Sequence, residues 1–143
     1  MPLYFSYGSN MDAAAMARRC PASKLIGPAR LNRHRFIIMK EGYASVLRDS
    51  RATVWGVVWD LALADIPALD RYEGVASGLY IKAYQPVVTG NGVKRALVYF
   101  GGSKTPGISR PGYLEDVLAA AEAAQLPSSY LQELRGWLRR GGA

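Results

Sequence analysis

Strand-forming patterns dominate the first hundred residues of this chain, and helix-forming patterns dominate its tail. The strongest strand signal is residues 53–60, which are rich in β-branched and aromatic side chains. A glycine within that run, Gly56, predicts a bulge or a close approach of another backbone. Strands followed by helices in this order are typical of α+β proteins. We therefore predict an α+β fold: a single compact domain with a mainly antiparallel, barrel-like mixed sheet, flanking helices and a helical C-terminal tail.

The other predicted elements are bounded by turn and cap signals. Strands are expected at residues 3–6, 24–31, 35–40, 44–47, 79–88 and 93–100, and helices at residues 12–19, 65–72, 111–124 and 129–140. Asp12 and Asp65 are predicted N-caps, and Ser129 is predicted to open a capping box. Residues 90–92 predict a hairpin turn, because Asn-Gly accepts positive φ at low cost. Residues 101–107 are glycine-rich, and the sequence leaves open whether residues 101–110 act as a mobile flap.

Length and composition indicate one domain. A chain of 143 residues that is 50% hydrophobic can bury a substantial core, so we predict that residues 1–143 form a single domain. Charged residues interrupt every apolar run before it reaches the length that spans a bilayer, and the first residues lack a signal-peptide pattern. The lone Cys20 cannot form an internal disulfide and fits a reducing compartment. We therefore expect a cytoplasmic protein without membrane association.

The net charge of +7 raises the alternative of nucleic-acid binding. Seven of the 18 basic residues lie between Arg18 and Lys40, and three more lie in the last predicted helix. The aromatic residues, however, fall mostly in predicted strands, where they indicate core rather than stacking platforms for bases. Basic charge alone reports solubility and non-specific attraction. We therefore predict no nucleic-acid partner and interpret the positive field as one that attracts a small anionic substrate.

Several kinds of catalytic site are excluded by what the sequence lacks. One histidine and one cysteine cannot build a Cys/His zinc site, and neither a phosphate-binding loop nor a dinucleotide fingerprint occurs. His34 lies between two arginines that disfavour its charged form, so we interpret it as a surface or strand-edge residue. Cys20, beside a proline, is interpreted as a helix-end residue. Ser9 consequently lacks suitable partners for a Ser-His-Asp triad, and no metal or organic cofactor is expected.

The N-terminal strand breaks at once into a polar turn. Residues 3–7 are mostly apolar or aromatic, and residues 8–10, Gly-Ser-Asn, follow directly. A turn of this kind after a buried strand presents successive backbone N–H groups to whatever binds above it. Two interpretations stay open at this point. The segment is either a binding turn or an ordinary turn in which Tyr4 and Tyr7 place their rings in the core.

Glu73 is the candidate acid-base residue. It ends an amphipathic predicted helix and precedes a glycine and a valine. The helix dipole disfavours negative charge at this end, and partial burial penalises the ionised form further. Both effects would raise the pKa of Glu73 toward a value suited to proton transfer near neutrality. The alternative is a solvated glutamate at a helix end.

At these residues the sequence resembles the γ-glutamylcyclotransferase family. Four blocks match in order: LYFSYGSNM at residues 3–11, VWGVVW at residues 54–59, Leu69 with EGV at residues 73–75 and SGLY at residues 77–80, and a helical tail with Tyr113 and LPSSY at residues 126–130. The first and third blocks are specific, and the second mostly identifies the fold. The blocks span nearly the whole chain, so the resemblance is global.

The resemblance implies a compact barrel-like α+β fold and release of 5-oxoproline from a γ-glutamyl compound. It implies that Glu73 is the general base that acts on the α-amino group of the substrate. The residues implied in substrate binding are Tyr4, Phe5, Ser6, Tyr7, Gly8, Ser9, Asn10, Gly78 and Tyr113, with backbone N–H groups of residues 7–10 on the oxyanion. Ser6 stands where a related pattern has alanine, a change that the turn tolerates.

Two other functions are weighed against this one. A non-catalytic protein that binds γ-glutamyl or similar anionic metabolites would need the cavity but no base, so the presence of Glu73 favours an enzyme. An interaction module that uses the basic surface has charge alone in its support. The sequence leaves open which amine departs and how many subunits assemble, although the family resemblance suggests a homodimer.

Overall fold

Five strands form a closed barrel in a computed structural model that describes residues 2–141 of the 143-residue chain. The strands are β1 (Leu3–Ser6), β2 (Lys24–Ile38), β3 (Ala44–Asp60), β4 (Tyr80–Thr89) and β5 (Gly92–Gly101), and their order around the barrel is β1-β3-β2-β4-β5. β1 pairs with β3 in antiparallel and with β5 in parallel orientation, and the remaining pairs are antiparallel. The predicted mainly antiparallel mixed barrel is thereby confirmed.

Four α-helices surround the barrel: α1 (Ala13–Arg19), α2 (Ile66–Tyr72), α3 (Tyr113–Ala123) and α4 (Ser128–Gly141). Asp12 caps α1 as predicted, because its side chain accepts a hydrogen bond of 3.0 Å from the backbone N–H of Ala15. α3 and α4 form the predicted helical tail, and α3 contributes Leu114, Val117 and Ala121 to the buried core. No helix among residues 2–141 combines the length and the apolar character that crossing a bilayer requires.

β2 and β3 form one long hairpin where the sequence predicted four shorter strands. The register joins Asn32 to Thr53 and His34 to Arg48, so that residues 49–52 lie opposite Arg33 alone. Arg33 has φ of 62°, and this local irregularity absorbs the mismatch between the two strands. The polar residues between the predicted strands hide this continuity, because backbone pairing continues where the apolar pattern stops.

His34 is buried, so its interpretation as a surface or strand-edge residue is wrong. Its side chain is only 3% exposed, its Nδ1 lies 2.9 Å from the carbonyl oxygen of Asn32, and its ring packs beside Phe100. The irregularity at Arg33 turns the following side chain inward, which the sequence pattern did not indicate. Cys20 is the C-cap residue of α1 and is buried, as the helix-end interpretation predicted.

Gly56 lies close to the backbone of β1, which confirms the predicted close approach of another backbone. A Cβ atom at this position would lie 2.1 Å from the carbonyl oxygen of Ser6 and 3.0 Å from the Cζ of Phe5. Both positions belong to the strand that leads into the polar turn. The absence of a side chain at Gly56 therefore allows β1 to enter the barrel.

Two local predictions need correction. Asp65 does not cap α2, because its Oδ2 accepts hydrogen bonds from the Ala22 N–H and the Ser23 hydroxyl instead. α4 begins at Ser128, so Ser129 lies inside its first turn rather than at the cap. The predicted hairpin turn is present between β4 and β5: the register places residues 90 and 91 in the loop, and the positive φ falls on Gly92 (95°).

The glycine-rich segment after β5 is tied to its surroundings by backbone hydrogen bonds. Gly102 N–H donates to the Leu79 carbonyl, Lys40 N–H donates to the Thr105 carbonyl, and Gly107 N–H donates to the Ile38 carbonyl, each at 2.8 Å. Movement of this segment as a flap would break these bonds. The structure shows the segment with these bonds formed, so the question of whether it moves as a flap stays open to experiment.

Candidate active site

A cavity of about 150 Å³ opens between the polar turn after β1, the end of α2 and the adjacent strands. Nine of the ten site residues considered in the sequence line it together: Tyr4, Phe5, Ser6, Tyr7, Gly8, Ser9, Asn10, Glu73 and Tyr113. These residues come from three distant parts of the chain. The fold thus brings the first block, the third block and the start of α3 to one place.

Gly78 is the exception, because it does not line the cavity. It ends a 3₁₀ turn, Val75–Ser77, with φ of 80°, a conformation that glycine adopts without strain. The next residue, Leu79, does reach the cavity wall. Gly78 is therefore placed as a turn glycine that sets the direction of the chain toward the site.

Glu73 follows the last residue of α2 and is partly buried in the cavity wall. Its backbone N–H donates to the Leu69 carbonyl at 3.0 Å, and Gly74, with φ of 63°, ends the helix. Burial raises the pKa of Glu73 to about 7, although the Arg19 charge and a hydrogen bond with Tyr4 oppose the rise. The structure thus favours a perturbed carboxyl group over the alternative of a solvated glutamate.

Asn10 holds the polar turn in position. Its amide Nδ2 donates to the Tyr4 hydroxyl at 3.2 Å and approaches Glu73 Oε1 at 3.5 Å, while Arg19 Nη1 donates to its Oδ1. Its backbone carbonyl accepts a hydrogen bond of 3.0 Å from Trp59 Nε1. Because Asn10 is only 2% exposed and fully engaged, the turn is fixed relative to both β3 and Glu73.

The polar turn leaves backbone donors available at the cavity. It forms a 3₁₀ turn, Ser9–Met11, in which the N–H groups of Met11 and Asp12 donate to the carbonyls of Gly8 and Ser9. The N–H groups of residues 8–10 donate to no other group in the part of the chain that the structure describes. Unused donors at the start of a helical turn are a favourable setting for an anion or an oxyanion.

Tyrosine hydroxyls form the opposite side of the cavity. The Tyr7 hydroxyl donates to the Tyr99 carbonyl at 2.5 Å, the Tyr80 hydroxyl donates to the Ala44 carbonyl, and the Ala44 N–H donates to the Tyr113 hydroxyl at 3.1 Å. Burial raises the pKa of each of these phenols well above its usual value, so they stay neutral. The wall therefore offers neutral polar groups around a single carboxylate.

Six lining residues were not predicted from the sequence: Tyr43, Ala44, Tyr72, Leu79, Tyr80 and Tyr99. Tyr72 precedes Glu73 directly, and this adjacency is a signal that could have identified it. Tyr80 and Tyr99 lie in β4 and β5, where an aromatic residue gives no indication of whether it faces core or cavity.

Among the residues described, no group of three or more His, Cys, Asp or Glu side chains is arranged to hold a metal ion.

Known proteins resemble this chain in both sequence and structure. Residues 53–134 match the model of the AIG2-like family. The chain is 30% identical to the γ-glutamylcyclotransferase of Mus musculus and 27% identical to that of Homo sapiens, in each case over 93% of this chain and 77% of the relative. A solved structure of a γ-glutamyl cyclotransferase matches with a TM-score of 0.86 at 26% identity, over 94% of this chain and 86% of that one.

These matches extend over the regions that carry the cavity. The family model includes Glu73 and Tyr113, and the longer alignments cover nearly the whole chain. The chain therefore belongs to the γ-glutamylcyclotransferase family of enzymes.

Proposed function

We propose that this protein converts a γ-glutamyl amino acid, peptide or amine into 5-oxoproline and the free amine. The α-amino nitrogen of the substrate forms a bond to its own γ-carbonyl carbon, and the bond from that carbon to the departing nitrogen breaks. The names of the relatives support this reaction. The observation that carries it is that Glu73 lines the same small cavity as residues 8–10, whose backbone N–H groups have no backbone acceptor in the described part of the chain.

The reaction needs a proton acceptor but no protein nucleophile, because the substrate attacks itself. An α-ammonium group must lose a proton before its nitrogen can attack. Glu73, with a pKa of about 7, is suited to accept that proton and then to deliver it to the departing amine. The same carboxyl group thus serves first as general base and then as general acid.

Binding geometry supplies the remaining acceleration. A γ-glutamyl chain is flexible, and holding its amine over its own carbonyl is worth up to about 7–11 kcal/mol in favourable intramolecular reactions. The carbonyl oxygen becomes negative during attack, and in this proposal the N–H groups of residues 8–10 donate to it. One such donor typically contributes about 3–4 kcal/mol.

The size of the cavity suits the γ-glutamyl portion rather than a whole peptide. Its volume of about 150 Å³ is well below the roughly 300–1,000 Å³ of pockets that enclose drug-sized ligands. The departing group would therefore extend past the cavity, and its identity is left to experiment. We propose to incubate the protein with a panel of γ-glutamyl amino acids, peptides and amines and to detect 5-oxoproline by mass spectrometry.

The panel also separates the enzyme from the alternative of a metabolite-binding protein. Release of 5-oxoproline from at least one compound at catalytic protein concentration is the result we expect. Saturable binding of γ-glutamyl compounds without any release would contradict the proposal and support the binding protein. A protein that neither binds these compounds nor releases 5-oxoproline would contradict both the enzyme and the metabolite-binding protein.

The pH dependence of the reaction is expected to follow Glu73. A base acts in its deprotonated form, so kcat/KM should rise as the pH increases through about 7 and reach a plateau above it. Because kcat/KM reports ionisations of both the free enzyme and the free substrate, the profile should be measured with two substrates whose α-amino groups differ in pKa. An acidic limb that differs between the two substrates, and lies far from 7 for both, would contradict the assignment to Glu73.

Substitution of Gly8 by valine is expected to weaken ligand binding about tenfold or more. The backbone of Gly8 has φ of −121°, so glycine is not needed there for a left-handed conformation. A Cβ atom, however, would lie 3.2 Å from the Tyr113 hydroxyl, and the valine methyl groups would enter the cavity. Affinity for 5-oxoproline, measured by calorimetry, should fall in this variant.

Gly90→Val is the matched control for Gly8→Val. Gly90 lies in the β4–β5 loop, and a Cβ there has no heavy atom within 4 Å. This control should bind 5-oxoproline as the wild type does. If Gly8→Val also retains wild-type affinity, the polar turn does not cradle the ligand.

Three expectations from the sequence stay predictions: a cytoplasmic location, the lack of a nucleic-acid partner and a homodimer. Lack of retention on a nucleic-acid column, at low and at high salt, is the result expected for a protein without a nucleic-acid partner. Size-exclusion chromatography with light scattering measures the number of subunits directly.

A further inference from the structure

Arg19 does not line the cavity itself, but it contacts two residues that do, Asn10 and Tyr72. This residue ends α1 and is partly buried. Its Nη1 donates a hydrogen bond to Asn10 Oδ1, and its Cζ lies 3.6 Å from the centroid of the Tyr72 ring. Arg19 forms no ion pair with a carboxylate within residues 2–141. No carboxylate in this part of the chain therefore neutralises the charge of Arg19 through an ion pair.

Each of the two residues that Arg19 contacts takes part in a polar link between the polar turn and the end of α2. Asn10, in the polar turn, lies 3.5 Å from Glu73 Oε1, at the end of α2. Tyr72, the last residue of α2, has its hydroxyl 2.6 Å from the Ser9 hydroxyl, in the polar turn. Two polar links thus join the turn to the end of α2, and Arg19 contacts one residue of each link: Asn10 in the first and Tyr72 in the second.

Among the residues that the structure describes, Arg19 is the positive charge that lowers the pKa of Glu73. The ionisable groups that interact with this carboxyl group are Tyr4 from β1, Tyr7 from the turn, Tyr80 from β4, Tyr99 from β5, Tyr113 from α3 and Arg19 from α1. The phenols are neutral because burial raises each pKa. The nearby Asp70 and Lys82 form an ion pair of 2.7 Å, so their charges largely offset one another.

We infer that Arg19 is a positioning residue, which fixes Glu73 against the polar turn through Asn10 and Tyr72 and places a positive charge beside these two residues. This inference rests on the function proposed for Glu73. It assigns two separable contributions to one side chain. The planar guanidinium supplies geometry, because it donates to Asn10 while its Cζ lies 3.6 Å from the centroid of the Tyr72 ring. The charge supplies electrostatics, because an opposite charge stabilises a carboxylate.

Two substitutions separate these contributions. Arg19→Gln removes the charge, and its shorter side chain ends two bonds before the position of Nη1, so the acidic limb of kcat/KM should move to higher pH by about one unit. Arg19→Lys keeps the charge but loses the planar fork, so the limb should stay at its wild-type pH while kcat/KM falls about tenfold. The matched control is Arg18→Gln, one residue earlier in α1, where the side chain is exposed; its profile should coincide with that of the wild type.

A second measurement does not depend on turnover. Titration of ¹³C-labelled glutamate side chains by NMR reports the ionisation of Glu73 directly, and the Glu73→Gln protein identifies its resonance. The Arg19→Gln titration should lie about one pH unit above that of the wild type. Thermal unfolding of each variant shows whether it is folded at the temperature of the assay.

The outcomes distinguish the inference from the proposed function. Wild-type protein that releases no 5-oxoproline refutes the function, whatever the NMR titration shows. Active wild-type protein with an unmoved Arg19→Gln limb and titration overturns the electrostatic part. Wild-type kcat/KM in a folded Arg19→Lys protein overturns the geometric part, and this test holds even if Arg19→Gln fails to fold.

Discussion

Replacement of Glu73 by glutamine is expected to lower kcat/KM for γ-glutamyl substrates about 10²–10⁴-fold, the usual contribution of a positioned acid-base group. Glutamine has nearly the same shape and still offers an oxygen to the Asn10 amide, which lies 3.5 Å from Glu73 Oε1. Substrate binding should therefore persist while proton transfer is lost. Steady-state release of 5-oxoproline, with product affinity measured in parallel, tests both parts of this expectation.

The same variant should be more stable than the wild type at alkaline pH. The pKa of Glu73 is raised from 4.5 to about 7 in the folded protein, so the folded state holds its proton more tightly than the unfolded state. Wild-type stability consequently falls as the pH rises between these two values. Glutamine has no such ionisation, and its advantage should grow over this interval to about 1–3 kcal/mol.

Glu133→Gln is the matched control for these two measurements. Burial also raises the pKa of Glu133, but this residue lies in α4, away from the cavity lining. Its substitution should leave turnover at the wild-type level. Near-normal turnover in Glu73→Gln would mean that Glu73 is not the base and that the site assignment is wrong.

Replacement of Gly56 by alanine is expected to reduce the free energy of unfolding by about 3 kcal/mol. The added Cβ would lie 2.1 Å from the Ser6 carbonyl oxygen, which is a backbone atom and cannot rotate away. β1 would have to move from β3, although the pairs Phe5–Val58 and Ser6–Val57 hold it there. Urea denaturation followed by tryptophan fluorescence measures the loss.

Gly90→Ala provides the comparison for Gly56→Ala. A Cβ at Gly90 meets open space, so this substitution should change the free energy of unfolding by less than about 0.5 kcal/mol. The Gly56→Ala protein should also lose activity, because the displaced strand carries the polar turn. A loss of stability below about 1 kcal/mol would show that β1 adjusts without strain.

The predictable part of the fold is the part with strong local signals. Residues 53–60 were predicted as a strand from β-branched and aromatic content, and Asp12 was predicted as a cap from its position before α1. The polar turn after β1 was predicted because Gly-Ser-Asn interrupts an apolar run. In each of these segments, neighbouring residues determine the local structure.

The parts that could not be predicted depend on contacts between distant residues. Asp65 stands at the start of α2 but bonds to residues 22 and 23, over forty positions earlier. The burial of His34 follows from an irregularity in pairing with β3. Tyr80 and Tyr99 reach the cavity only because of the register between β4 and β5. The periodicity of apolar residues in the sequence does not indicate which distant residues come into contact.

The pairing of β1 determines when the catalytic apparatus can assemble during synthesis. Its partners are residues 57–60 of β3 and residues 96–97 of β5, all of them translated long after β1 itself. Pairings this remote along the chain close large loops and are slow to form. Each nascent molecule must therefore carry an apolar segment that can pair on one side only after β3 has been translated, and on both sides only after β5 has left the ribosome.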